Sequence, residues 1–165
     1  FWCTEADFDK VPGVLKTISG YAGGQYKDPD YKVVSAGKTD HTEVVEVTYD
    51  DTKVSYSELV EYFWKTIDPT VKNRQFCDSG TQYRSGFYYL NDEQKKIAEA
   101  SKARLQASGK FKTIHTEVAP VVKFYPAEEY HQDYYTKNPI RYGYYRNGCG
   151  RDKRLEELWG AKAKP

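Results

Sequence analysis

Apolar residues recur along this chain with two periods, three to four in some stretches and two in others, and the switches between them mark out the elements. Trp2, Glu5, Phe8 and Asp9 fall at helical spacing, which predicts a short helix from Phe1 to about Val11 that Pro12-Gly13 stops. Val14 to Tyr21 alternates roughly apolar and polar before Ala22-Gly23-Gly24, as a strand running into a flexible loop does. His41 to Tyr49 repeats the period of two around Val44, Val45 and Val47, giving a sheet neighbour. Ser55-Tyr56-Ser57-Glu58 has the form of a capping box. Leu59, Val60, Phe63, Trp64 and Ile67 then make one apolar stripe that Pro69 ends.

The second half is less regular. Gly86 to Leu90 reads as an aromatic strand, and Asn91 with Gln94 opens a helix from about Asp92 to Ala107 that closes near Ser108-Gly109. Thr116 to Ala119 and Val121 to Phe124 read as strand broken by Pro120, and Pro126 as a helix start leading through Ala127 to about Tyr135. Asn138 to Gly150 is rich in glycine, tyrosine and arginine with little apolar period, which predicts an extended tail wrapping the surface. A short helix from Asp152 to Trp159 follows. Strands and helices mix without a βαβ rhythm, no repeat is present and no linker divides the chain. The expectation is an α+β fold: a single domain over residues 1–165, built as a two-layer α/β sandwich with a mixed sheet and a long C-terminal coil.

Composition narrows the function. The 165 residues suffice to bury a core without a metal or disulfide framework. A mean hydropathy of −0.84 and 30% charged residues rule out a helical membrane span, which needs about 20 mostly apolar residues. With 25 basic against 24 acidic side chains there is no net field to attract a polyanion, so neither nucleic acid nor a membrane surface is the expected partner. Sixteen tyrosines and no methionine supply rings that line a pocket and still offer hydroxyls. Cys3, Cys77 and Cys149 are too few for a disulfide scaffold, leaving redox chemistry or plain burial, and their odd number leaves at least one thiol free unless it pairs outside this sequence. The chain opens in mid-pattern at Phe1-Trp2, so further residues are expected upstream.

Four features carry candidate chemistry. A residue joined to Phe1 would sit at the start of the first helix, where the dipole and free amides stabilise a thiolate. Glu43 lies in His41-Thr42-Glu43-Val44-Val45, either facing solvent or buried with a pKa raised toward general-acid use. Phe76-Cys77-Asp78-Ser79-Gly80-Thr81-Gln82-Tyr83-Arg84-Ser85 is a dense polar loop between a capped helix and a strand. His131, in Tyr130-His131-Gln132, has no second histidine at metal-ligand spacing and reads as structural.

In order, Phe1-Trp2, Gly20-Tyr21-Ala22-Gly23-Gly24, Tyr31, His41-Thr42-Glu43-Val44, Phe63-Trp64 with Asp68-Pro69, Gly80 to Ser85, Tyr130-His131-Gln132 and Lys137-Asn138-Pro139 resemble the A-type peptide methionine sulfoxide reductases. The family signature is Gly-Cys-Phe-Trp followed by a helix and a Gly-Tyr-x-Gly-Gly loop, and the match runs through nearly the whole chain. The resemblance implies that a cysteine preceding Phe1 attacks the sulfur of a methionine S-sulfoxide, free or in an oxidised protein, and is left as a sulfenic acid. Glu43 would protonate the departing oxygen, Tyr31 and Tyr83 would hydrogen-bond it, and Asp78 would order the polar side of the pocket. Phe1 and Trp2 would wall the S-methyl group.

A second thiol would then form a disulfide that thioredoxin or another dithiol reduces, with no bound cofactor and no metal. Cys149, in a tail that departs from the family's usual glycine-rich pattern, is the first candidate. Cys3 is the rival through a Cys-Phe-Trp-Cys pair, and Cys77, beside Asp78, is third and readable as a buried small hydrophobe. A monomer is expected, and no compartment is indicated. Two other classes stay open: a thioredoxin-like disulfide oxidoreductase using Cys3, and a noncatalytic sulfoxide-binding domain.

Overall fold

The computed structural model describes residues 1–160, so residues 161–165 of the expected domain lie outside the described residues. In chain order the elements are α1 (Trp2–Asp9), β1 (Val14–Ala22), α2 (Tyr31–Ser35), β2 (Thr42–Tyr49), α3 (Tyr56–Trp64), β3 (Arg74–Gln75) and β4 (Asp78–Ser79). There follow β5 (Gly86–Tyr89), α4 (Asp92–Ala107), β6 (Glu117–Pro120), β7 (Tyr125–Pro126), α5 (Tyr134–Lys137), α6 (Pro139–Gly148) and α7 (Arg151–Trp159).

The capping signals act as their chemistry dictates. The Ser55 hydroxyl accepts from the Glu58 amide at 3.1 Å while Glu58 accepts from the Ser55 amide, so two of the orphan donors at the start of α3 are satisfied. Asn91 accepts from the Gln94 amide at 2.9 Å, and Gln94 reaches back one residue further to accept from Leu90. The stripe of α3 then buries Leu59, Val60 and Trp64. Val60 and Trp64 join Ile67, Phe87, Ala98 and Ile114 in a core under α4 and the β5–β6 pair. Buried Trp64 donates its indole N–H to Ser101 at 2.8 Å, which lets so large a ring enter the core without an orphaned donor.

Strands β1 and β2 pair antiparallel with Gly20 opposite Val44 and Tyr21 opposite Glu43, and β7 joins the other edge of β1. A Cβ at Gly20 would lie 2.5 Å from the Tyr125 carbonyl oxygen, so β7 approaches this closely only over glycine. Helix α1 packs on β1 and β2, and α6 packs between α5 and α7.

Where one mixed sheet was expected, the strands form three small sheets: β2-β1-β7, the antiparallel hairpin β3-β4, and the parallel pair β5-β6. The expected strand from Val121 to Phe124 is absent, and pairing resumes at Tyr125–Pro126. Pro126 therefore ends a strand rather than starting a helix. The segment after it makes one 3-10 turn at Glu129–His131, runs extended through Gln132 and turns at Asp133 with φ +51°. The Gln132 side chain explains the interruption, because it bridges the Ser19 amide and carbonyl at 2.9 and 2.8 Å and holds the chain against β1.

The larger correction is the tail. Asn138 to Gly150, expected as an extended tail, forms α6 with Pro139 in its first turn, while the helix expected from Asp152 to Trp159 is present as α7. Tyr142, Tyr145, Arg146 and Cys149 follow the i, i+3, i+4, i+7 pattern, so α6 does have an inward stripe. Its members are phenols, a guanidinium and a thiol, and a search for aliphatic periodicity passes over them.

Candidate active site

The site forms where the start of α1 meets the loop side of the β2-β1 sheet. Helix α1 is fixed there by its own carboxylates. Glu5 accepts from the Asp133 amide at 2.7 Å and from Thr17, while Asp9 accepts from Thr17 and Tyr135, both at 2.6 Å. Asp7 is fully buried and pairs with Arg146 of α6 at 2.8 Å. Burial without a cation pushes the Glu5 carboxyl up, with the backbone hydrogen bond opposing.

Phe1, Trp2, Tyr31, Glu43, Asp78 and Tyr83, the six residues expected to touch substrate or proton, all line one cavity of about 340 Å³. Glu43, the second residue of β2, has its side chain 10% exposed, and its Oε1 lies 3.1 Å from the Phe1 amino nitrogen. Burial raises the Glu43 carboxyl above the ordinary range. The positive charge at Phe1 opposes this, and the negative charge of Asp78 adds to it. The strand carboxylate is thus a buried one, not a solvent-facing one. Tyr31 and Tyr83 are both pushed up by burial and then by Glu43 and Asp78, so both stay protonated donors.

The apolar wall is held rigid from behind. Trp2 stacks on Tyr134 with centroids 3.7 Å apart and planes 5° from parallel, and Tyr145 meets it edge-on at 5.6 Å. The Trp2 indole N–H donates to Nδ1 of buried His131 at 3.0 Å, which leaves the proton of the neutral imidazole on Nε2. Burial lowers the His131 pKa and keeps that ring neutral. His131 is therefore a supporting side chain, as its sequence context suggested. Glu128 completes the support, accepting from the Tyr21 hydroxyl at 2.8 Å and the Tyr31 amide at 3.0 Å.

The three cysteines divide into a bonded pair and one free thiol. Cys149, the C-cap of α6, is disulfide-bonded to Cys77 with Cα atoms 5.2 Å apart. Cys77 is exposed, not a buried small hydrophobe, because it occupies the tip of the β3-β4 hairpin. Cys3 is the free thiol; it lines the cavity and is 4% exposed. Sequence reasoning missed Tyr145, which lines the cavity and donates to Asp78, and Arg151, which also lines it. The α6 stripe was the signal that could have found Tyr145. Among the described residues no group of three or more His, Cys, Asp or Glu side chains is arranged to hold a metal ion.

A buried acid and two protonated phenols facing an aromatic wall, with sulfur chemistry at the rim, define an oxidoreductase that works through thiols. The family model described as peptide methionine sulfoxide reductase matches residues 1–163, and the chain belongs to that family, whose members reduce methionine sulfoxide. It is 50% identical over 163 residues to MsrA 2 of Rhizobium meliloti, covering 99% of this chain and 81% of the relative. It is 49% identical over 162 residues to MsrA/MsrB of Vibrio cholerae, covering 98% of this chain but only 43% of that longer protein. Reduced Mxr1 from Saccharomyces cerevisiae superimposes with a TM-score of 0.79 at 38% identity, covering 85% of this chain and 81% of Mxr1. Mxr1 has also been solved in complex with Trx2; that chain is 26% identical with a TM-score of 0.55, covering 81% and 77% of the two chains.

Proposed function

We propose that residues 1–165 form one catalytic domain that reduces methionine S-sulfoxide, free or in oxidised proteins, through a cysteine joined to Phe1. The observation that carries this reading is the 3.1 Å approach of the Phe1 nitrogen to Glu43 in a cavity shared with Tyr31, Asp78 and Tyr83. A residue joined to that nitrogen has its carbonyl carbon about 1.33 Å away, which brings its side chain close to the acid. The peptide link also replaces an ammonium by a neutral amide. The charge that now opposes the rise of the Glu43 pKa disappears, and burial then acts unopposed.

The thiolate attacks the sulfoxide sulfur while Glu43 delivers its proton to the oxygen, since an unprotonated oxygen leaves poorly. Tyr31 and Tyr83 donate to that oxygen, and Phe1 and Trp2 hold the S-methyl group. The S–O bond breaks as oxygen passes to the cysteine, so methionine departs and sulfenic acid remains. Cys149 condenses with it, releasing water and forming a disulfide. Cys77, which the structure bonds to Cys149, exchanges onto Cys149 and frees the nucleophile. The bond is then at exposed Cys77, where a protein dithiol of the thioredoxin type reduces it and takes the oxidising equivalents. Mxr1 with Trx2 is a related protein caught with such a partner. Cys3 is the weaker second thiol, being buried within the wall.

The test is turnover by the full-length protein with dithiothreitol on the two separated epimers of methionine sulfoxide. Reduction of the S epimer with the R epimer spared is the expected result. Equal rates on both, or no turnover of either, overturns the reading.

A further inference from the structure

Two segments far apart in sequence, the β3-β4 hairpin and the end of α6, are joined twice at the rim of the cavity. Cys77 is bonded to Cys149, and the next hairpin residue, Asp78, accepts a hydrogen bond from the Tyr145 hydroxyl. The Cys149 amide donates to the Tyr145 carbonyl at 3.0 Å, so the two links leave α6 one turn apart on the same face. One link is covalent and depends on redox state, and the other does not.

The hairpin needs holding. Phe76 takes φ +54°, a left-handed value that a bulky side chain keeps only where its surroundings enforce it, and Asn73, a residue that tolerates this region, takes +51°. The Gly80 amide donates to the Asn73 carbonyl at 2.8 Å, and the Arg151 guanidinium lies 4.5 Å over the Phe76 ring. These contacts brace the turn but do not touch the Asp78 carboxylate. Tyr145 does. Burial and Asp78 itself keep its phenol protonated and able to donate, and Trp2 fixes its ring.

We infer that Tyr145 is a positioning residue that keeps Asp78 at the cavity wall, and that the Cys77–Cys149 bond takes over this task while it is closed. A disulfide spanning 72 residues confines the two segments to each other's neighbourhood, so loss of one hydrogen bond hardly lets the hairpin part from α6. With both thiols reduced, the state that meets substrate, the confinement is gone. A charge-assisted hydrogen bond then contributes about ten-fold to the closing equilibrium. For its effect on turnover the inference rests on the sulfoxide reading of the cavity; for its effect on the hairpin it stands alone.

Amide hydrogen exchange of residues 74–80 in the full-length protein separates the two. In Tyr145→Phe, exchange should speed about ten-fold after reduction with dithiothreitol and less than about two-fold with the disulfide closed. Wild type should change little between the two states. Cys77→Ser, which opens the link without a reductant, should expose the same Tyr145→Phe effect. Equal acceleration in both redox states, or none after reduction, overturns the inference. In steady state, Tyr145→Phe should raise KM for methionine S-sulfoxide about ten-fold with kcat within about two-fold. A fall in kcat at constant KM also overturns it. Absence of turnover in wild type sinks the sulfoxide reading instead and leaves the exchange result standing.

Discussion

Glu43 and Asp7 are both carboxylates taken almost wholly out of water, yet the protein treats them in opposite ways. Asp7, on the buried face of α1, meets the Arg146 guanidinium at 2.8 Å, and that guanidinium also grips Asp152. Glu43, at the cavity end of β2, has no side-chain cation beside it and has Asp78 near enough to push its pKa further up. Burial costs a carboxylate its hydration in both places. An internal ion pair offsets the cost at Asp7 and turns the acid into a tie between the first helix and the C-terminal helices. At Glu43 only the Phe1 amino group, 3.1 Å away, offsets it, and only in part, so the carboxyl pKa stays raised. An arginine ties the Asp7 carboxyl into the fold, whereas the Glu43 carboxyl is left as a raised-pKa acid at the cavity wall.

The comparison breaks most visibly at Glu43. Replacement by Gln keeps shape and hydrogen bonding but removes the proton, and kcat on methionine S-sulfoxide should fall by about 10²–10⁴ while thermal stability holds or rises. A loss of less than three-fold would show that Glu43 is not the acid of the reaction. The pH dependence has a definite sign. Because the folded-state pKa is raised above the unfolded value of about 4.3, Glu43 is protonated and stabilising below that value. Its contribution is lost as pH climbs through the folded pKa. Activity carried by the protonated acid therefore declines on the alkaline side, and Glu43→Gln should flatten that limb. Matched rate and denaturation profiles of the two proteins check both halves.

Arg146→Ala attacks the opposite pole. It leaves buried Asp7 with only the exposed Lys10 ammonium, 4.0 Å away, and should cost about 3–5 kcal/mol of stability, read from urea denaturation midpoints. Adding Asp7→Asn to that variant should recover part of the loss, since the stranded charge disappears. A loss under about 1 kcal/mol from Arg146→Ala would mean that α1 is held by its other contacts alone.

How much of this was legible in the sequence differs between the two poles. The Glu43 pole was readable because its parts follow local rules. Alternation placed Glu43 on a strand, the capping box placed α3, and the ordered segments brought Phe1, Trp2, Tyr31, Asp78 and Tyr83 to one cavity. The Arg146 pole was not, because its helix hides a 3.6-residue period in Tyr142, Tyr145, Arg146 and Cys149, none of which is aliphatic. Pro139 at a helix start was the overlooked local sign. Pro126 misled in the opposite sense. Pairing with Gly20 of β1 and the grip of Gln132 on Ser19 hold that segment extended, and both are long-range contacts that no window of neighbouring residues contains.

The finest cut lies within the Arg146 cluster. One guanidinium serves two carboxylates, Asp7 with no exposed surface and Asp152 with 45% of its side chain exposed. Asp152 accepts from Arg146 Nε and Nη2, the latter at 2.7 Å, so by geometry alone it looks the stronger partner. Exposure argues otherwise. Water screens the outer pair and rehydrates either charge when the other is removed, so Asp152→Asn should cost less than about 1 kcal/mol. The cost should also depend on pH. The Arg146 hydrogen bonds hold the Asp152 carboxyl below its ordinary range, so its stabilisation is complete above the unfolded value of about 3.9 and lost as pH falls through the lower folded pKa. Denaturation of wild type and Asp152→Asn should therefore differ slightly at pH 7 and converge in acid. A penalty matching that of Arg146→Ala would show that hydrogen-bond geometry, not burial, sets the worth of these pairs.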